Sequence, residues 1–226
     1  MAIRYPVFFL LFFCACLRTG IAESSEPAQN APSHFESNYV FRTGEQLQGP
    51  QVLTYRLFEY SLQAGHRILP DIGYYDTGGL SDRIIFGGGG VEYKNRHIDY
   101  TQILYAAEET GPSAHHQRTL WIWPVIDSTY TPRLTSEVAL YPTIPINHAA
   151  RWGFDIDRAK MEYAFGPHFK AGAGLSACVG ATTSWTNKPL ATATFTNRGG
   201  AWEFWLERMP GGAQIQLRYS LTRKGF

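Results

Sequence analysis

Residues 190–221, LATATFTNRGGAWEFWLERMPGGAQIQLRYSL, hold three short segments whose mutual register can be read from the letters. With one turn centred on Pro210-Gly211, Leu206 falls opposite Ile215, Phe204 opposite Leu217 and Trp202 opposite Tyr219, so one face is apolar throughout. Glu203, Trp205 and Glu207 then fall opposite Arg218, Gln216 and Gln214, a mostly polar face on which Glu203 meets Arg218. A second turn centred on Arg198-Gly199 places Phe195 beside Trp202, Ala193 beside Phe204 and Thr194 beside Glu203. Both faces stay consistent across three strands. One greasy and one wet face fits either a half-buried soluble sheet or a transmembrane β-barrel.

The first residues bear on the compartment. Arg4 precedes the apolar run Val7 to Leu17, VFFLLFFCACL, which is too short for a membrane-spanning helix, and Gly20-Ile21-Ala22 offers a cleavage site. We read residues 1–22 as a secretory signal peptide cut after Ala22. Cys14 and Cys16 lie inside it, so the mature chain keeps only Cys178 and has no internal disulfide, against a disulfide-stapled secreted domain. Cleavage also removes Arg4 and Arg18 from the 20 basic residues, against 19 acidic ones, leaving a charge near −1. That balance gives no electrostatic case for nucleic acid.

Beyond the signal no stretch is apolar for long enough to cross a membrane as a helix, and the aromatic residues sit in strand-like segments. Residues 23–50 are polar, rich in Ser, Pro, Asn and Gln, and read as a flexible periplasmic leader that touches the barrel mouth through Phe35, Tyr39 and Phe41. Residues 51–226 read as one domain. Within it the alternation predicts about ten strands: Gln51 to Ala64, Arg83 to Tyr93, His97 to Glu108, Arg118 to Ser128, Arg133 to Tyr141, Arg158 to Phe165, Phe169 to Gly180, Leu190 to Thr196, Gly200 to Arg208 and Ala213 to Leu221. Long connections, beginning with Gly65 to Asp82, alternate with short ones, as in an antiparallel up-and-down barrel with all its tight turns at one end. An even strand count with both termini on the short-turn side fits the same topology.

The signal peptide, the alternating hairpins and the final amphipathic strand Ile215, Leu217, Tyr219, Leu221 near Phe226 resemble the Gram-negative outer-membrane β-barrel class. The resemblance is to an architecture, an all-β, antiparallel, up-and-down transmembrane barrel. It implies location in the outer membrane, contact with outer-membrane lipid, and insertion by the barrel assembly machinery, which reads the last strand and a terminal aromatic residue. Phe226 itself is out of phase with the alternation, behind Thr222-Arg223-Lys224-Gly225.

Chemical motifs are sparse. His97 and Asp99 lie two apart on a strand, and Asp155 and Asp157 form a second pair at the mouth of a long loop. Asp-x-Asp with a His/Asp pair is similar to the active-site equipment of the omptin outer-membrane proteases, although the order is reversed and His97 and Asp99 lie nearest a short turn. The blander reading makes His97 and Asp99 turn-proximal polar residues and Asp155 and Asp157 solvated loop carboxylates. His115-His116 has no third ligand spaced near it, and Gly174-Leu175-Ser176-Ala177-Cys178 is not a nucleophile elbow. Gly87-Gly88-Gly89-Gly90 lacks the Lys-Ser/Thr of a phosphate loop, and we expect it to bend the strand or make room for Trp121, Trp123 or Trp205, the alternative being a groove for a lipid or hydrophobic solute.

Three readings follow. The first is a porin-like barrel with a narrow polar lumen, filled in part by Glu203 and Arg218, for passage or binding of a small solute or for envelope structure. The second is a membrane-embedded hydrolase of lipid or peptide, which requires His97, Asp99, Asp155, Asp157 or Glu137 to converge on one cavity. The third is a soluble periplasmic, lipocalin-like binding barrel, with an apolar interior and a polar exterior. No cofactor, metal site or nucleic-acid partner is expected in any of them.

Overall fold

A computed structural model describes residues 35–77 except 49–50, together with 82–111, 116–198, 200–209 and 212–224. The signal peptide, residues 23–34 of the expected leader, His115 and Phe226 lie outside the described residues. Twelve strands form one closed antiparallel barrel in which each strand pairs with its neighbours in sequence. They are β1 (Phe35–Gln48), β2 (Gln51–Ala64), β3 (Arg67–Thr77), β4 (Asp82–Lys94), β5 (Ile98–Thr110) and β6 (Gln117–Thr131). The second half is β7 (Leu134–Pro145), β8 (Gly153–Ala164), β9 (Phe169–Gly180), β10 (Thr186–Thr196), β11 (Gly200–Met209) and β12 (Gly212–Lys224). The ring closes where β1 pairs with β12 from Glu36↔Lys224 to Gln48↔Gly212.

Two strands correct the expected ten. Part of the presumed leader is β1, because its alternation is carried by Tyr39 and Phe41 among polar residues, a weak pattern until β2 and β12 flank it on both sides. The presumed long loop after Gly65 is a short turn followed by β3. Pro70, Asp71 and Gly73 make β3 look like a turn, yet Pro70 sits where the ladders to β2 and β4 both shift register, the place where a strand tolerates a residue without an N–H. β8 likewise starts earlier than expected, at Gly153, with a register shift between Ile156 and Ala159.

The registers read around Pro210-Gly211 and Arg198-Gly199 are those observed, from Glu203↔Arg218 and Phe204↔Leu217 to Thr194↔Glu203 and Phe195↔Trp202. One end of the barrel carries only turns of two to four residues, such as 65–66, 132–133 and 165–168; the other carries the longest connections, 111–116, 146–152 and 181–185. Both ends of the described barrel chain, Phe35 and Lys224, lie at the short-turn end.

Alternation sorts the side chains by chemistry. Phe58, Ile72, Ile85, Leu104, Ile126, Val138, Met161, Leu175, Phe204, Leu206 and Ile215 are exposed on the outside, whereas Asp71, Arg158, Lys160, Glu162, Glu203, Glu207 and Gln216 are buried inside. This is the reverse of a soluble binding barrel. Aromatic rings collect near the short-turn rim, where Tyr163, Phe165, Phe169 and Phe195 form a chain of ring contacts at 4.7–5.8 Å that continues toward mid-strand along the outer face to Phe204 at 6.2 Å; Trp152 and Trp185 are exposed at the opposite rim. Phe204, near mid-strand and outward, should not tolerate charge. Phe204→Arg is expected to cost about 2–4 kcal/mol and impair assembly, read as loss of the faster-migrating unboiled band on gels, while inward Gln216→Arg assembles. Equal defects would show the faces to be misassigned.

Candidate functional site: the barrel interior

Inward side chains divide the lumen into two levels. Near the short-turn end charged groups fill it. Lys160 of β8 pairs with Glu203 of β11, three strands further round, and with Glu137 of β7 at 3.1 Å and Glu162 at 3.4 Å. Arg158 pairs with Glu137 and Asp157, and its guanidinium lies 5.3 Å from the centroid of Trp205 and 5.9 Å from that of Trp123. Glu162 accepts hydrogen bonds from the Thr192 and Thr194 hydroxyls at 2.9 and 3.0 Å. The Arg158 and Lys160 side chains are only 2% and 3% exposed, so the network occupies the interior instead of lining an open pore. Buried charges persist only when paired and hydrogen-bonded, and here Arg158 and Lys160 each have at least two carboxylate partners.

Glu203 and Arg218 lie on this face, with Arg218 Nη1 3.5 Å from Glu203 Oε2. The hub, however, is Lys160, which pairwise reading of the C-terminal hairpins could not reach because β9 and β10 separate β8 from β11. A sequence signal for it did exist in the inward row Arg158, Lys160, Glu162, three charges at period two on one face. Gly172 makes room for that row: a Cβ there would meet the Met161 carbonyl oxygen at 2.0 Å and Glu162 Cγ at 2.7 Å.

Above this plug, toward the long-loop end, lies a cavity of about 490 Å³. One wall is aromatic, made by Tyr75, Phe86, Tyr105, Trp121, Trp123 and Tyr141 on five successive strands, β3 to β7. The facing wall, β8 to β12, presents Asp155, Asp157, Ser176, Lys188, Glu207, Gln214, Gln216 and Arg218. Glu59 of β2 joins the aromatic wall, where the Tyr105 hydroxyl bonds both Glu59 Oε1 at 3.1 Å and Asp71 Oδ2 at 3.0 Å. Tyr105 reaches these two strands because Gly88 lies between it and Asp71, the partner of Asp71 on one side and of Tyr105 on the other. A Cβ at Gly88 would meet the Leu104 carbonyl oxygen at 1.8 Å. The glycine run therefore does make room inside, for Tyr105, against which Trp121 and Trp123 then pack, and not for Trp205. On the outer face Gly87 and Ala106 belong to a shallow apolar groove with Phe58, Ile72 and Ile85.

The candidate hydrolytic groups do not converge. His97 is exposed in the turn before β5 and Asp99 pairs with Lys94, both at the short-turn end. Asp155 and Asp157 lie at the other end, and they are not loop carboxylates: both belong to β8 and line the cavity. Glu137 is engaged by Arg158 and Lys160. Of the two loop histidines, only His116 is described; it is exposed at the long-loop end, its Nδ1 3.9 Å from Glu108 Oε1. Among the described residues no group of three His, Cys, Asp or Glu side chains could hold a metal ion.

No family model matches the chain, and no curated protein matches it in sequence. Among solved structures it is similar to the KdgM porin, with a TM-score of 0.58 at 11% identity over 81% of this chain and 98% of that one; the KdgM porin in complex with disordered oligogalacturonate gives the same values. It is also similar to the β domain of the Bordetella autotransporter Brka, with a TM-score of 0.51 at 12% identity over 84% of this chain and 99% of that one. The fold is that of the outer-membrane β-barrels. Together with the apolar outward belt, it places the chain in the outer membrane.

Two outcomes follow for this outer-membrane barrel. Lys160→Met leaves Glu137, Glu162 and Glu203 short of a shared cation and is expected to cost about 3–5 kcal/mol, more than Arg218→Met, as read by the temperature at which the folded gel band is lost. A larger loss for Arg218→Met would displace Lys160 as the hub. Gly88→Ala should lower that temperature more than Gly87→Ala, whose added Cβ meets only Ile72 Cγ2 at 3.4 Å. A reversed order would mean that Tyr105 does not depend on the gap.

Proposed function

We propose that this barrel is a narrow, solute-selective channel of the outer membrane, which captures a small solute in the cavity at its long-loop end before admitting it past the charged plug. The observation that carries this reading is the division of the lumen. A cavity of about 490 Å³ is large enough for a small organic solute, and beneath it the Lys160–Glu203 pair crosses from β8 to β11. An interior filled in this way does not support bulk diffusion. The fold likeness to the KdgM porin supports a transport role.

The same reading includes the secretory signal in residues 1–22, contact of the apolar outer face with outer-membrane lipid, insertion by the barrel assembly machinery, and the longer loops on the external side. The hydrolase alternative has no convergent constellation to support it among the described residues.

Single-channel recording in planar bilayers tests the proposal. We expect small unitary currents from the native protein. Lys160→Ser combined with Glu203→Ser removes both partners and their bulk at no change in net charge, and should raise conductance several-fold. Large native currents, like those of a general diffusion pore, would overturn the reading, as would a double variant that conducts no better than the native protein.

A further inference from the structure

Resting on that reading, we infer that the cavity takes an organic cation: a compact apolar body against the aromatic wall, with an ammonium group directed to Glu59. The described charges that line the cavity are Glu59, Asp155, Asp157 and Glu207 against Lys188 and Arg218; Arg158 pairs with Asp157 and Glu203 with Arg218, and acids still outnumber bases along the lining. A cleft with low-dielectric walls and one predominant sign concentrates ligands of the opposite sign.

The acid on the aromatic wall fixes where the positive charge goes. Glu59 Oε1 and Asp71 Oδ2 lie 3.1 and 3.0 Å from the same phenolic oxygen, so the two carboxylates sit side by side. Among the described residues neither has a basic partner, and Asp71, only 1% exposed, keeps Oδ1 buried without a hydrogen-bond partner. The single phenolic proton cannot serve both carboxylates, so a proton is shared across the pair and one negative charge remains, which Glu59 carries to the cavity; a charge in so dry a wall favours a neutralising cation. Glu59 opens to the cavity, and around it Phe86, Tyr105, Trp121 and Trp123 present ring faces and edges, with centroid separations of 5.2–6.5 Å between neighbours. Aromatic faces attract a desolvated ammonium through the ring quadrupole, most of all a quaternary one that needs no hydrogen-bond acceptor. An acidic sugar such as the oligogalacturonate held by the KdgM porin would bring carboxylates to a wall that already carries an excess of them.

The test is a fluorescence titration of the full barrel in detergent, read through its tryptophans, with benzyltrimethylammonium, benzyl alcohol and benzoate as probes of matched body and different charge. We expect saturable quenching by benzyltrimethylammonium at concentrations at least tenfold below those needed for either other probe. Glu59→Gln should weaken the cation at least tenfold and leave benzyl alcohol unchanged. A folded gel band certifies that variant. Should it fail to assemble, the native protein still decides: raising the salt concentration must weaken the cation and not benzyl alcohol. Benzoate binding as tightly as benzyltrimethylammonium, or cation binding that is insensitive both to Glu59→Gln and to salt, would overturn the cation assignment while leaving solute capture intact. Binding of none of the three, together with absent channel currents, would sink the transport reading as well.

Discussion

Hydrocarbon offers no partner for a backbone N–H or C=O, and from this constraint the rest of the molecule follows. A sheet satisfies it only when it has no free edge, which is why the pairing of β1 with β12 matters more than any single side-chain contact. Closure costs the chain a strand that is poorly marked in sequence, because β1 needs backbone hydrogen bonding on both sides far more than it needs a strong apolar face. Once the ring is closed, every strand has an outside and an inside, and the two-residue period assigns each side chain to one of them.

The inside then poses a second problem of satisfaction. A twelve-strand ring of this size holds charged side chains close together with little water, and an unpaired one would be expensive. The chain meets this by clustering both signs. Arg158, Lys160 and Glu162 on one strand meet Glu137, Glu203, Thr192 and Thr194 on three others, and Arg218 of β12 joins through Glu203. Where long inward side chains lie along the wall, the neighbouring strand gives way with glycine, at Gly172 beside Glu162 and at Gly88 beneath Tyr105. Absent side chains are thus as much a part of the interior as the charges.

Function belongs to the unequal filling of that interior. The charged plug and the aromatic-lined cavity are stacked along the barrel, one near the short turns and one near the long loops. In the proposed channel a solute would meet recognition first and resistance second, an order that suits selective passage more than an open pore. The aromatic wall also brings its own carboxyl pair, Glu59 and Asp71 on one phenol, and the inferred cation preference rests on that coupling of cavity shape to charge.

Read alone, the sequence determined whatever depends on neighbours joined by a tight turn. The three C-terminal strands, their facing, and the Glu203–Arg218 register followed from alternation about Pro210-Gly211 and Arg198-Gly199, because hairpin register is local. The antiparallel barrel class was legible for the same reason. Strands β1 and β3 were not, since a polar face in one and Pro70, Asp71 and Gly73 in the other imitate a leader and a loop until flanking strands supply hydrogen bonds and a bulge. Nor could the sequence show that Lys160 reaches Glu203 or that Tyr105 joins Glu59 to Asp71. Those relations cross the lumen or skip strands, and only closure of the ring sets the distances between residues that no single hairpin connects.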